Sequence, residues 1–149
     1  MLISSLAIIS LTDHAYVIGQ KSPNIISNSN GITNDKKTIK EIKKSLIQID
    51  QVLKVNPNNV TSLIEKGRAL GILDKASEAI PYFDKALSIS PNNVTALIEK
   101  GAALGHMHRD SEGIPYLDKA LSISPNDPLA FEGKKVSLIG KELVTNGRD

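Results

Sequence analysis

The sequence predicts an all-α fold, a short solenoid of antiparallel helix pairs with about six helices, and three observations predict it. Residues 57–90 recur at 91–124 with 25 of 34 positions identical. A near-verbatim repeat of this period marks a small module that stacks on its own copy. Within each copy the apolar residues recur at helical spacing. Aromatic residues make up only 3% of the chain (Tyr16, Tyr82, Tyr116, Phe83 and Phe131). The core is therefore built from Leu, Ile and Ala, which suits close-packed helices better than a β-sandwich.

A chain of 149 residues is about one domain. Its net charge of +2 is too small to imply nucleic acid or an anionic membrane as a partner. The basic residues are interspersed with acidic ones, and no aromatic platform accompanies them. With no cysteine there is no disulfide framework, Cys-based zinc site or thiol chemistry. That absence is compatible with every compartment.

The chain divides into three parts. Residues 1–20 are a hydrophobic leader with a mostly apolar run from Leu2 to Leu11. The run is too short to cross a membrane as a helix but fits the core of a signal peptide. No Lys or Arg precedes it, and Ala15 follows Asp13-His14, a poor cleavage context. Three readings stay open: a signal or anchor, an apolar segment lying against the solenoid, or a start codon misplaced within a longer leader. The chain is exported or membrane-anchored if residues 1–15 act as a signal, and cytoplasmic otherwise. Residues 21–37 are Ser/Asn-rich, with Pro23 and Gly31, and read as a flexible linker that buries too little apolar area to offset its ordering entropy.

Residues 38–144 are helical in pattern: a half repeat at 38–56, full repeats at 57–90 and 91–124, and a capping helix within 125–144, followed by a tail at 145–149. Thr38–Lys54 places Ile42, Leu46, Ile49 and Leu53 on one face. Val60–Leu73 and Val94–Met107 are the matching first helices, with Asn59 and Asn93 as N-caps. Ser77–Ile89 and Ser111–Ile123 are the second helices, with Ser77 and Ser111 as caps, so that Pro81 and Pro115 fall in the first turn. Asp127 followed by Pro128 caps and starts the last helix, which runs to about Val144. Pro57, Pro91 and Pro125 each follow a helix and stop it.

The 34-residue period, the helix–turn–helix unit and the closing proline resemble the tetratricopeptide (TPR) repeat family. Gly67 and Gly101 match its small residue in the first helix. Ala79, Ala86 and Ala120 match those of the second, Phe83 and Leu117 its large apolar residue, and Pro91 and Pro125 its closing proline. The chain departs from the family at Leu63, Leu70, Leu97 and Leu104, where Trp and Tyr are frequent. At Gly113 it has glycine for alanine, a change costing about 1 kcal/mol in a helix interior. The half repeat at 38–56 supplies Ser45, Ile49 and Val52. The last helix matches through Phe131 and Leu138, with Lys135 in place of glycine, as suits a terminal cap with one wet face. The resemblance implies a right-handed superhelix and a non-enzymatic protein-protein interaction module that binds a partner peptide or helix on its concave face.

Carried over residue by residue, the ligand-facing positions are Thr61, Ile64, Arg68 and Ile72, then Thr95, Ile98, Ala102 and His106. Glu132, Val136 and Ile139 extend that face. Arg68 against Ala102 and Ile72 against His106 are the two differences between copies that fall on it, as if a partner reads the copies unequally. The Lys/Asn/Arg clamp by which some members grip a C-terminal carboxylate is missing: Ile64, Arg68, Glu99, Leu129 and Gly133 stand at its positions. The implied partner is an unidentified protein or peptide, with no nucleic acid, and with membrane only through the leader if that is retained. A structural unit that self-associates into homo-oligomers through its solenoid ends is the alternative.

No cofactor or metal is expected. His106 and His108, two residues apart, point in different directions on a helix, whereas a shared metal wants i and i+4. No nucleophile–base pair or phosphate-binding loop stands out, so a hydrolase is the weakest reading. Asn59-Val60-Thr61 and Asn93-Val94-Thr95 are formal glycosylation sequons, although their asparagines have a capping role. The GxxxG spacings Gly67/Gly71 and Gly101/Gly105 mean helix contact in a chain of this kind.

Overall fold

Side-chain caps and Schellman turns set the helix boundaries in the computed structural model, which describes residues 31–146. The Ser62 N–H donates to Asn59 Oδ1 (3.0 Å) and the Ala96 N–H to Asn93 Oδ1 (2.9 Å), opening α2 (Val60–Ile72) and α4 (Val94–His106). Asp127 Oδ1 accepts from both Leu129 and Ala130 N–H at the start of α6 (Pro128–Asn146). Each satisfies a donor that the first turn leaves without an intrahelical partner. At the far ends of α2 and α4 the chain turns through Asp74 (φ 61°) and His108 (φ 57°), both left-handed. The Lys75 N–H returns to Leu70 C=O and Arg109 N–H to Leu104 C=O, each 2.9 Å. This is the Schellman arrangement, made without its usual glycine.

The second helices are α3 (Ala76–Ile89) and α5 (Asp110–Ile123). Here the expected caps are corrected. Both helices start one residue before Ser77 and Ser111, from Lys75 and Arg109, with no side-chain cap. Pro81 and Pro115 are consequently the sixth helical residue, beyond the first turn. Each removes one N–H from the ladder, and the carbonyls left over belong to Ser77 and Ser111, which are exposed to water. Pro91 and Pro125 follow the C-cap residues Ser90 and Ser124, as the stop signal predicts.

The first helix, α1, spans Gly31–Val55. It begins seven residues before Thr38, so the last part of the expected linker is helical. The remainder of that linker, the leader at 1–20 and residues 147–149 of the tail lie outside the described residues. Among the described residues there are six helices and no strand.

Successive helices pack antiparallel in order. The first helices α2, α4 and α6 also touch one another in a row, whereas α3 and α5 do not. The row α2–α4–α6 is therefore the inner, concave layer of the solenoid. One core cluster joins Leu63, Ile64, Leu70, Ala79, Phe83, Ala86, Ala96 and Ala103, and a second joins Leu97, Ile98, Leu117, Ala120 and Ala130. Gly67 and Gly101 supply the close approach: a Cβ on Gly67 would lie 2.6 Å from Phe83 Cζ, and one on Gly101 2.7 Å from Leu117 Cγ. Gly113 is explained in the same way. A Cβ there would lie 2.7 Å from the Gly101 carbonyl oxygen, so its glycine is a packing requirement and not only a propensity cost.

The described solenoid begins with α1 and ends with α6. On α1, Ile42, Leu46, Ile49 and Leu53 are half-buried against the solenoid, while Ser45 and Val52 are exposed where a preceding helix would lie. On α6, Ala130, Ser137 and the two glycines Gly133 and Gly140 face inward. Phe131 is 60% exposed, against 2% for its counterpart Leu63.

Candidate partner-binding surface

The concave row is the surface to which the resemblance assigned ligand binding, and its eight candidates fare differently. Thr61, Thr95 and His106 are exposed, and Arg68, Ile72 and Ala102 are half-buried. Ile64 and Ile98 are buried members of the two core clusters. The 3.6-residue period turns them inward, between successive first helices, so they support the face from beneath. The accessible apolar surface on this side comes instead from α6, through Leu129, Val136 and Ile139.

Arg68 is committed inside the protein. Its Nε lies 3.0 Å from Glu99 Oε1, and the two side chains are only 14% and 10% exposed. Burial pushes the Glu99 carboxyl above the usual carboxylate range, and the Arg68 guanidinium offsets this only in part. The pair ties α2 to α4. The corresponding positions one repeat later are Ala102 and Gly133, so the cation and its acid are both missing from the next junction. The Arg68/Ala102 difference thus has a source within the fold. In the sequence Glu99 stands 31 positions after Arg68, a spacing that joins the end of one first helix to the middle of the next.

The sequence reading also missed a ladder on the flank. Lys66 bridges Asp50 of the preceding helix (2.5 Å) and the Tyr82 ring (4.5 Å to its centroid). Lys100 does the same with Asp84 and Tyr116, donating to the Tyr116 hydroxyl at 2.7 Å. Burial pulls both lysines' pKa down, but the carboxylate and phenol contacts outweigh it, and both are raised. Lys134 repeats the contact to Asp118 at 2.6 Å. The partly exposed geometry makes each rung modest in energy.

Arg68, Glu99 and His106 line one narrow crevice with Gly67, Gly71, Ala76, Phe83 and Ala103. It joins the two positions at which the copies differ on this face. Its cavity volume of about 20 Å³ is enough for a water molecule. His108 sits in the left-handed turn after α4, away from the helical spacing assumed for it. Among the described residues no three His, Cys, Asp or Glu side chains are grouped to hold a metal.

A family profile described as tetratricopeptide repeat matches residues 60–93. No curated protein sequence matches the chain. Solved structures with similar folds include the TPR domain of Arabidopsis OM64 (TM-score 0.63, 22% identity, 84% of this chain and 94% of that one). The first TPR domain of human RPAP3 gives a TM-score of 0.68 at 16% identity, over 89% of this chain and 95% of that one. MamA from Desulfovibrio magneticus RS-1 gives 0.64 at 21% identity, over 91% and 70%. Residues 60–93 are a tetratricopeptide repeat by sequence, and the described solenoid has the tetratricopeptide-repeat fold.

Proposed function

We propose that the chain is a non-enzymatic protein–protein interaction module that takes a partner's peptide or helix along its concave row. The supporting observation is the continuous row α2–α4–α6, which offers Thr61, Thr95 and His106 beside the exposed Leu129, Val136 and Ile139. A preformed helical surface binds with little ordering cost, and polar and apolar side chains in sequence suit an amphipathic segment. Arg68 acts in this reading by holding α2 and α4 at their spacing, with Ile64 and Ile98 beneath.

A photo-reactive residue at Thr95, compared with one at Ser88 on the outer helix α3, tests the assignment in lysate of the source organism. Adducts with one protein from Thr95 and none from Ser88 are expected. The same adducts from Ser88, or from neither position, remove the concave-face reading.

Self-association through the solenoid ends has its own support in the exposed Phe131, Leu138 and Leu143 of α6. Lys135 opposes its simplest form. It stands where Gly67 and Gly101 admit a packed helix, so a copy cannot close on α6 in the manner of α3 on α2. Light scattering over a concentration series decides it, a strict monomer eliminating that role.

A further inference from the structure

The chain's positive charge is concentrated in the N-terminal part of α1. Residues 36–44 hold five lysines and one glutamate, a net +4, so the remaining residues together carry −2. Spacing of i, i+4 and i+7 puts Lys36, Lys40 and Lys43 on one helix face. Ile47 and Lys54 continue that stripe, opposite the residues that pack on α2, and Lys36, Lys40, Lys43, Ile47 and Lys54 are all exposed. Among the described residues no carboxylate pairs with a lysine of this stripe, since Asp50 is held by Lys66. Ile39 and Ile47 stand among these lysines, 41% and 62% exposed. A face that is simply solvated gains nothing from such isoleucines, whereas a basic face resting on lipid headgroups buries them.

We propose that the outward face of α1 docks on an anionic phospholipid bilayer, with its lysines among the headgroup phosphates and Ile39 and Ile47 at the acyl boundary. The apolar run Leu2–Leu11 favours lipid over an acidic protein. It lies in the same chain, and the 19 residues between Leu11 and Gly31 reach up to about 60 Å when extended. One apolar insertion is a weak, reversible anchor, and a polybasic face beside it makes attachment stable. No helix of the described residues is long and apolar enough to cross a membrane, so the contact made by α1 is interfacial. The net acidic remainder is repelled by an anionic surface, which turns α1 toward the membrane.

The test is co-sedimentation of the full 149-residue chain with vesicles of phosphatidylcholine alone, or with one third phosphatidylserine. Binding to the anionic vesicles that weakens with salt is expected. The Lys36→Gln/Lys40→Gln/Lys43→Gln variant, its helix content checked by circular dichroism, should bind about 100-fold more weakly. Ile47→Ser should weaken binding several-fold with the charge intact. Equal binding to both vesicle types, no vesicle binding, or an unchanged triple variant overturns the proposal. So does a lysine-dependent affinity for polyglutamate or heparin without vesicle binding, which assigns the stripe to an acidic macromolecule. No protein partner is present in the assay, so its outcome is independent of the concave-face reading.

Discussion

In the repeat at residues 57–90 the Phe83 ring fills the space beside Gly67, and Ala79 spaces the two helices. In the repeat at 91–124 the smaller Leu117 takes the ring's place, Gly113 replaces the alanine, and the α5 backbone closes on Gly101. The junction beyond each repeat differs too, with Arg68–Glu99 in one and Ala102–Gly133 in the other. Differences between successive units of the array thus come in matched sets. A lost methyl accompanies a lost ring, and a lost cation accompanies a lost acid, because each pair shares one packed space.

The strongest way to break this comparison is to empty the two cores separately. Phe83→Ala should cost about 3–5 kcal/mol and Leu117→Ala about 2–5 kcal/mol in urea unfolding. The phenylalanine should be the larger, since removal of its ring leaves the larger cavity. A larger loss at Leu117 would show that the closer approach in the second repeat carries more of the stability.

Next is the ion pair. Arg68→Ala leaves Glu99 buried without its cation and should cost about 3 kcal/mol. Adding Glu99→Ala imitates the Ala102–Gly133 junction and should recover most of that loss. A double variant as unstable as the single one contradicts the matched-pair account. Glu99 also carries a pH signature. Its folded pKa is raised by burial, so the native state holds the proton more tightly than the unfolded chain. Its contribution to stability therefore grows as pH falls through the raised pKa toward the ordinary carboxylate value, and levels off below that. Glu99→Gln should erase this component from a stability-versus-pH curve.

Gly113→Ala sharpens the comparison most directly. Helix propensity alone predicts a gain of about 1 kcal/mol, whereas the clash with the Gly101 carbonyl predicts a loss of about 1–3 kcal/mol. Leu117→Phe added to it should restore part of the loss, by re-creating the wider spacing of the first repeat. Stabilisation by the single substitution rules out the packing explanation. The smallest effect concerns the turns that the repeats share. Asp74→Gly and His108→Gly should each stabilise by about 1 kcal/mol, because glycine takes a left-handed φ without Cβ strain. Thermal unfolding measures both.

Much of the architecture was legible in the chain. Helices α2 to α5 begin and end within one residue of the expected positions, because asparagine caps, prolines and apolar periodicity are local signals. The difference at Lys75 and Arg109 is local as well: Ser77 and Ser111 have the composition of caps, although those helices start without one. The start of α1 at Gly31 was hidden by a Ser/Asn-rich composition that resembles a linker. For the binding face less was legible. Ile64 and Ile98 have the register of ligand-facing residues, yet they are covered by neighbouring helices, which periodicity within one helix does not reveal.

Period, helix count and, to within one residue, the ends of α2 to α5 came from the residues alone, since each depends on interactions within a few positions along the chain. Three properties depended on contacts between positions 31 or more apart or on a neighbouring backbone: the burial of Ile64 and Ile98, the engagement of Arg68 with Glu99, and the necessity of Gly113. Their physical cause is close packing between helices, where the space left by one side chain is set by another that the local sequence does not name.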